Sequence, residues 1–193
     1  MKKAPKPCEL DPIPKSLLLE YLCPILPSLT VVINTFLSSG EFSLFYKIVI
    51  VKPLLKKPTL DHNDLKNSHP VSNFPSMSKI LVKVVLTQLL THLNSNCLFN
   101  NVQSAYHPCH STETTLLNVV NDLLAALDIG KITVLTHLDL SSAFDTIDHD
   151  ILLHRLQLVF VIHDTVLLWF KSYLVDRTQF VSANGKHSSP ANL

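Results

Sequence analysis

The residue best placed for chemistry is Asp139, because it directly follows a run of apolar and β-branched residues at 132–138. Such a run predicts a buried strand. Small residues and then a helical pattern near Asp148 follow, and a carboxylate at the end of a buried strand is a common catalytic position. Because a buried carboxylate without a cation is costly, we expect Asp139 to be ion-paired or to bind a metal. The alternative is an aspartate that caps the following helix.

The segment 138–153, Leu-Asp-Leu-Ser-Ser-Ala-Phe-Asp-Thr-Ile-Asp-His-Asp-Ile-Leu-Leu, resembles the first catalytic motif of reverse transcriptases from LINE-type (non-LTR) retrotransposons. The resemblance extends from about residue 10 to about residue 189. It implies that Asp139 and the Leu140 carbonyl bind catalytic Mg²⁺, and that Phe144 lies under the sugar of the incoming nucleotide. It also implies an RNA template and a DNA primer as partners. The alternative for Phe144 is a core aromatic residue.

A second motif of that family, Gln-Ser-Gly-Phe-Arg-Pro-Gly-His-Ser-Thr, resembles Gln-Ser-Ala-Tyr-His-Pro-Cys-His-Ser-Thr at 103–112. The resemblance places His107 near the nucleotide triphosphate, where the family has an arginine. Histidine is mostly neutral near pH 7, so the permanently charged, bidentate phosphate donor is lost. Ala105 and Cys109 replace glycines, which removes backbone freedom. Upstream, His69-Pro-Val-Ser72 resembles Arg-Pro-Ile-Ser, again without the arginine.

The paired aspartates that supply the family's other catalytic positions have no counterpart, since the 193 residues contain no Asp-Asp dipeptide. Nucleotide transfer by two metals needs several carboxylates around ions about 3.5–4 Å apart. Asp145, Asp148 and Asp150 are instead predicted to lie in the turn and the helix start that follow, where carboxylates cap the helix and favour its dipole. We therefore predict an incomplete, inactive RNA-directed DNA polymerase.

Three alternatives to that function stay open. The first is a non-catalytic nucleic-acid-binding remnant. The second is an unrelated α/β phosphatase with Asp139 as its nucleophile, although Ser141 stands where that class has a second aspartate. The third is a chain that folds poorly and has no function.

The charges nearly balance, with 16 lysines and arginines against 15 aspartates and glutamates. The net charge of +1 is a weak signature for nucleic-acid binding. The segment between Phe42 and Leu60 nevertheless contains four lysines and no acidic residue. Of these, Lys52, Lys56 and Lys57 are predicted to contact phosphates, and a solvated basic face is the alternative.

The four cysteines show no C-x-x-C spacing, which indicates a reduced intracellular chain, cytoplasmic or nuclear, without a disulfide-linked partner. Residues 21–40 carry no charge, but Pro24 and Pro27 make this segment a poor membrane span. We therefore predict no membrane partner, and a buried helix interrupted by these prolines.

Hydrophobic residues make up 47% of the chain, enough for a packed core. The predicted fold is α+β, and the resemblance makes it a partial right-hand polymerase with helical fingers and the start of the palm sheet. The predicted parts are a disordered N-terminus (1–9), a fingers-like region (10–110) and an incomplete palm (111–193). Helices are predicted at 13–22, 29–37, 79–93, 114–127, 151–158 and 165–174, and strands at 45–53, 132–138 and 177–182. Gly40 is predicted to end the second helix, Ser76 to be the N-cap of the third and Ser111 or Thr112 that of the fourth, and Asn184-Gly185 to form a hairpin turn.

Overall fold

The computed structural model describes residues 8–61, 64–140, 143–183 and 185–192. Its elements are the helices α1 (Lys15–Glu20), α2 (Leu22–Ser39), α3 (Ser76–Ser95), α4 (Thr112–Asp128), α5 (His149–Leu158) and α6 (Asp164–Leu174), and the strands β1 (Ile48–Leu55), β2 (Ser68–Asn73), β3 (Thr178–Ala183), β4 (Lys186–His187) and β5 (Ala191–Asn192). Helices together with one mixed sheet confirm the α+β class. The disorder predicted for residues 1–9 falls mostly on residues outside the described part.

The chain divides into two compact units. The first joins Met1–Thr91 to His149–Leu193, and the second is His92–Asp148. The first unit contains the whole sheet and most helices, whereas the second contains α4 and the segment that carries Asp139. The predicted boundary between a fingers region and a palm region at residue 110 stays a prediction.

The sheet has the order β2-β1-β3-β4, with β5 also paired to β3. Strand β1 runs antiparallel to β2 and parallel to β3. The predicted strands at 45–53 and 177–182 are therefore confirmed, although β1 begins later because Leu44–Lys47 forms a 3₁₀ helix. Strand β1 also continues past Pro53, which lies opposite Pro70 and beyond the residues that pair with β3. A proline is tolerated there because no third strand needs its missing N–H group.

The turn predicted at Asn184-Gly185 is described only in its second half, because Asn184 lies outside the described residues. Strands β3 and β4 are antiparallel, and Ala183 pairs with Lys186. Gly185 has a φ of +74°, a left-handed conformation that glycine adopts without steric cost. This pairing is the geometry of a two-residue hairpin.

The core of the first unit forms where α2, α3 and α6 meet. Its buried side chains are Leu29, Ile33, Phe42, Leu81, Val85 and Trp169. Aromatic rings organise it: Phe42 meets Trp169 and Tyr173 edge-on, at centroid distances of 5.5 and 5.1 Å. Each such pair contributes about 0.5–1.5 kcal/mol beyond the area it buries.

The prediction that Pro24 and Pro27 interrupt the helix is wrong, because α2 begins at Leu22 and contains both prolines. Pro24 lies in the first turn, where a backbone N–H group has no partner within the helix. Pro27 lies in the interior, where proline removes one backbone hydrogen bond, and α2 continues through it. By length and hydropathy α2 is also the one candidate membrane span found among the described residues. Leu29 and Ile33 pack in the core of the first unit, but they are the only buried residues of this helix. The prediction of a buried helix is therefore wrong for most of α2, whose other residues are exposed or half-buried.

Gly40 ends α2 as predicted, with a left-handed φ of +69°. A Cβ atom on this residue would lie 3.1 Å from the Thr165 carbonyl oxygen and 3.2 Å from the Leu168 Cβ atom. Glycine is therefore required at this position for two reasons: its left-handed backbone conformation and the close approach of α6.

The N-terminus of α3 corrects a second prediction, that Ser76 is its N-cap. Ser76 is the first helical residue, and the Asp11 carboxylate accepts hydrogen bonds from its amide and its hydroxyl, both at 2.6 Å. Asp11 thus satisfies an N–H group that the helix leaves unpaired. A residue 65 positions away in sequence supplies the cap.

Candidate nucleotide and nucleic-acid site

The segment 132–138, predicted to be a central strand, is not a strand. Residues 131–140 have no regular secondary structure, and all of them are exposed. Ile132 is 96% exposed and Leu138 is 90% exposed. A strand needs a neighbour to satisfy its backbone N–H and C=O groups, and no described strand pairs with this segment. The prediction that Asp139 ends a buried strand is therefore wrong for this chain.

Asp139 and Leu140 do not by themselves fit the magnesium pair that the resemblance implies. Both residues are exposed, and the described part of the chain contains no group of three or more His, Cys, Asp or Glu residues able to hold a metal. One carboxylate and one carbonyl are fewer ligands than two ions need. As predicted, Asp148 directly precedes α5 and Asp150 lies in its first turn.

Phe144 is 72% exposed, so it is not a core aromatic residue. Its ring meets that of Tyr106 edge-on, with centroids 6.4 Å apart and planes at 72°. Tyr106 directly precedes His107. The second unit thus brings together the two segments that the resemblance assigns to the nucleotide. Sequence reasoning did not single out Tyr106, although it stands where the family motif has a phenylalanine.

The His107 side chain packs beside two other rings. Its imidazole lies 4.3 Å from the Phe99 ring and 5.4 Å from the His110 ring, centroid to centroid. Its Nε2 atom is buried and has no hydrogen-bond partner among the described residues. A buried polar atom without a partner costs about 1–3 kcal/mol. Because this nitrogen is buried, a ligand reaches it only if the ring turns outward, and it lacks the fixed charge and the second donor of an arginine.

The backbone of this loop is strained at one of the two positions where the family has glycine. Cys109 has a φ of +63°, whereas Ala105 does not have a positive φ. Tyr106, next to Ala105, also takes a positive φ, +61°. A side chain in the left-handed region costs roughly 1–2 kcal/mol. The predicted cost of losing glycine is thus confirmed at Cys109.

The loop leads into α4, whose N-terminus is formed as predicted. Ser111 and Thr114 make a reciprocal capping box: the Thr114 amide donates to the Ser111 hydroxyl at 3.2 Å, and the Ser111 amide donates to Thr114 Oγ1 at 2.9 Å. A hydrogen bond from Ser111 holds the pKa of the Glu113 carboxyl below its ordinary value. None of the described residues of α4 is buried.

The three predicted phosphate-binding lysines differ in their surroundings. Lys52 forms an ion pair with Glu9, which lies 43 positions away in sequence, and its ammonium lowers the pKa of that carboxyl. Lys56 donates to the Lys66 carbonyl oxygen at 2.7 Å. Lys57 is exposed and forms no ion pair with a described residue. The patch is therefore less positive than its sequence suggests, and its contact with phosphates stays a prediction.

Upstream, His69 lies on β2 opposite Leu54 and is exposed. It belongs to the first unit, whereas His107 belongs to the second. The family has an arginine at both positions. In this chain both are histidines, one in each unit.

Comparison with known proteins extends these motif resemblances to most of the chain. Residues 55–192 match the family model described as "Reverse transcriptase (RNA-dependent DNA polymerase)". The "RNA-directed DNA polymerase from mobile element jockey" of Drosophila melanogaster is 31% identical over 164 residues, which cover 83% of this chain and 17% of that protein. The "Probable RNA-directed DNA polymerase from transposon BS" of the same species is 24% identical over 162 residues, 84% of this chain and 18% of that protein.

A jockey polymerase from Drosophila funebris is 28% identical over 161 residues, again covering 83% of this chain and 17% of that protein. The chain thus spans less than a fifth of the length of these curated relatives. The family model, by contrast, covers more than half of this chain. The chain therefore belongs to the reverse transcriptase family, as a domain of the LINE-type (non-LTR) group that the motif at 138–153 had indicated.

Proposed function

We propose that this chain is an incomplete RNA-directed DNA polymerase that contacts a nucleotide and carries one catalytic carboxylate, but does not extend a primer alone. The observation that supports it best is the contact between Tyr106 and Phe144. It joins the loop that carries His107 to the motif that carries Asp139. In the proposal, Phe144 lies against the sugar, and the His107 ring turns so that Nε2, which has no partner among the described residues, reaches the triphosphate.

The proposed inactivity follows from the small number of metal ligands in this chain. When bound, a magnesium pair would polarise the triphosphate and activate the primer hydroxyl. Asp139 and the Leu140 carbonyl would contribute to holding it, yet the 193 residues contain no paired aspartates to complete the ligands. Histidines at 69 and 107 weaken phosphate binding further, since an arginine contact can contribute several orders of magnitude in phosphoryl transfer.

The segment 132–138 fits this proposal as a segment that would become a strand once a second strand pairs with it. Its β-branched and apolar residues favour extended backbone, and its exposed side chains and backbone groups are those that a neighbouring strand would cover. We propose that pairing with a palm strand that bears the missing aspartates would order it. Residues 10–110 then correspond to a fingers-like region and 111–193 to part of a palm, acting on an RNA template and a DNA primer inside the cell.

A non-catalytic nucleic-acid-binding remnant is the second candidate function. The exposed, unpaired side chain of Lys57 favours it, because a phosphate contact needs no metal. The two candidates differ in what Asp139 does, since binding alone does not require that carboxylate.

Primer extension on an RNA template with magnesium tests the proposed function. Three proteins are compared: this chain, a fusion in which a palm with paired aspartates follows Leu193, and the same fusion carrying Asp139→Ala. We expect no extension by the chain and measurable extension by the fusion, raised further by His69→Arg and His107→Arg. In Asp139→Ala the rate should fall by about 10³-fold, because a metal ligand is lost.

Two outcomes would contradict the proposal. Extension by the unmodified chain would show that its own residues suffice. Extension by the fusion that survives Asp139→Ala would show that the wrong residue has been assigned to the metal site.

A further inference from the structure

A cavity of about 240 Å³ opens between α3 and α6 in the first unit. Ser78, Val82 and Leu86 line it from α3, one helical turn apart, while Phe74 and Tyr173 contribute aromatic rings. Ser78 is itself buried, so the interior offers few hydrogen-bonding groups. Leu86 is 48% exposed, an apolar side chain at the opening that no described residue covers fully. The apolar lining and the two aromatic side chains therefore suit a ring that stacks on them.

The surroundings of this cavity are positive. Lys79 and Lys83 line it, four residues apart on α3 and hence on the same side of the helix. Lys79 donates to the neutral Asn73 side chain at 2.9 Å, and neither lysine forms an ion pair with a described residue. None of the described residues that line the cavity carries a carboxylate. The charges are thus complementary to an anion beside the ring.

A third cation lies behind the aromatic wall. The Arg177 guanidinium carbon is 5.4 Å from the centre of the Phe74 ring and 4.6 Å from that of Tyr173. A hydrogen bond from Nη1 to the Tyr173 carbonyl oxygen, at 2.8 Å, holds it in place. Cation–π contacts fix both rings, so the cavity is built before a ligand arrives.

We propose that this cavity binds one base of a single-stranded RNA, with the adjacent phosphates on Lys79 and Lys83. Single-strand binders combine aromatic and apolar surfaces for bases with lysines for the backbone, and such contacts tolerate any base sequence. A base stacks through its faces and leaves its polar edge at the open side of the cavity, in water. An acidic peptide matches the charge, but its carboxylate side chains offer no ring to stack on Phe74 and Tyr173. The inference rests on the proposed function, because it gives the RNA a contact surface away from Asp139.

The test uses the full chain and a fluorescein-labelled ten-nucleotide oligo(U) RNA, with Kd measured by anisotropy between 50 and 200 mM salt. Trp169 is the only tryptophan in the chain and stacks on Tyr173 at 5.5 Å, so its emission reports locally on the cavity. Leu86→Glu places a negative charge at the opening, Lys83→Ala removes a cation, and Lys171→Ala is the control, since Lys171 is exposed on α6 and does not line the cavity. All three positions are exposed, and circular dichroism confirms that each variant folds.

We expect Trp169 emission to change on saturation with RNA. Kd should rise about tenfold in Leu86→Glu, and several-fold in Lys83→Ala with a salt slope shallower by about 0.7, while Lys171→Ala binds as wild type does. An abasic oligonucleotide of equal length should bind at least fivefold more weakly, because the base is lost.

The proposal is overturned if the abasic strand binds as tightly as oligo(U), or if poly-glutamate of equal length displaces the RNA and changes Trp169 emission equally. It is also overturned if wild type does not bind the RNA. If Leu86→Glu and Lys83→Ala bind normally while alanine at Lys52, Lys56 and Lys57 weakens binding, the cavity is not the site. In every case primer extension by the fusion decides the proposed function separately.

Discussion

The core of the first unit is packed, whereas the segment 131–140 of the second is exposed. Both are rich in apolar residues, yet Leu81 is 0% exposed while Leu138 is 90% exposed. In the first unit, α2, α3 and α6 supply three surfaces that cover one another. In the second, no described strand pairs with 132–138, and no residue of α4 is buried. Hydrophobicity shows which side chains gain from burial, but not whether a partner surface exists.

The largest expected effect is the difference in unfolding free energy between a Leu→Ala substitution in the core and the same substitution in the exposed segment. Leu81→Ala should lower the free energy of unfolding by about 2–5 kcal/mol, because it leaves a cavity in a packed core. Leu138→Ala, its matched control, should change it by no more than about 0.5 kcal/mol, since an exposed side chain loses little on truncation. Urea unfolding followed by circular dichroism measures both. Equal losses would show that 131–140 is buried in solution.

A second pair separates backbone conformation from packing. Gly40 and Gly130 have nearly the same left-handed φ, +69° and +70°, but only Gly40 closely approaches another element. Gly40→Ala should cost about 2 kcal/mol, whereas Gly130→Ala should cost about 1 kcal/mol from conformation alone. Thermal unfolding of both variants provides the comparison. If Gly130→Ala is as costly as Gly40→Ala, then α4 ends against a surface that this structure does not show.

The smallest effect distinguishes the two positions where the family has glycine. Cys109→Gly should stabilise the loop by about 0.5 kcal/mol, because relief of left-handed strain exceeds the added freedom of the unfolded chain. Ala105→Gly should destabilise it by a similar amount, about 0.5 kcal/mol, since that residue has no strain to relieve. Amide hydrogen exchange over residues 103–128 reports the local change. A stabilising Ala105→Gly would contradict the assignment of strain to Cys109.

Features that depend on neighbours in sequence were predictable. The capping box of Ser111 and Thr114, the left-handed glycine after α2 and the helical spacing of α4, α5 and α6 each involve residues within a few positions. Strands β1 and β3 were predictable for the same reason, because β-branched runs favour extended backbone. The motif at 138–153 likewise identified the family from adjacent residues.

Features that depend on residues distant in sequence were decided only by the tertiary structure. Asp11 caps α3, and Glu9 forms an ion pair with Lys52, although neither pairing leaves a local signal. The contact of Tyr106 with Phe144 is of the same kind. The segment 132–138 shows the limit most clearly. Its residues favour extended backbone, but a strand exists only where a second strand accepts and donates its hydrogen bonds, and among the described residues none does.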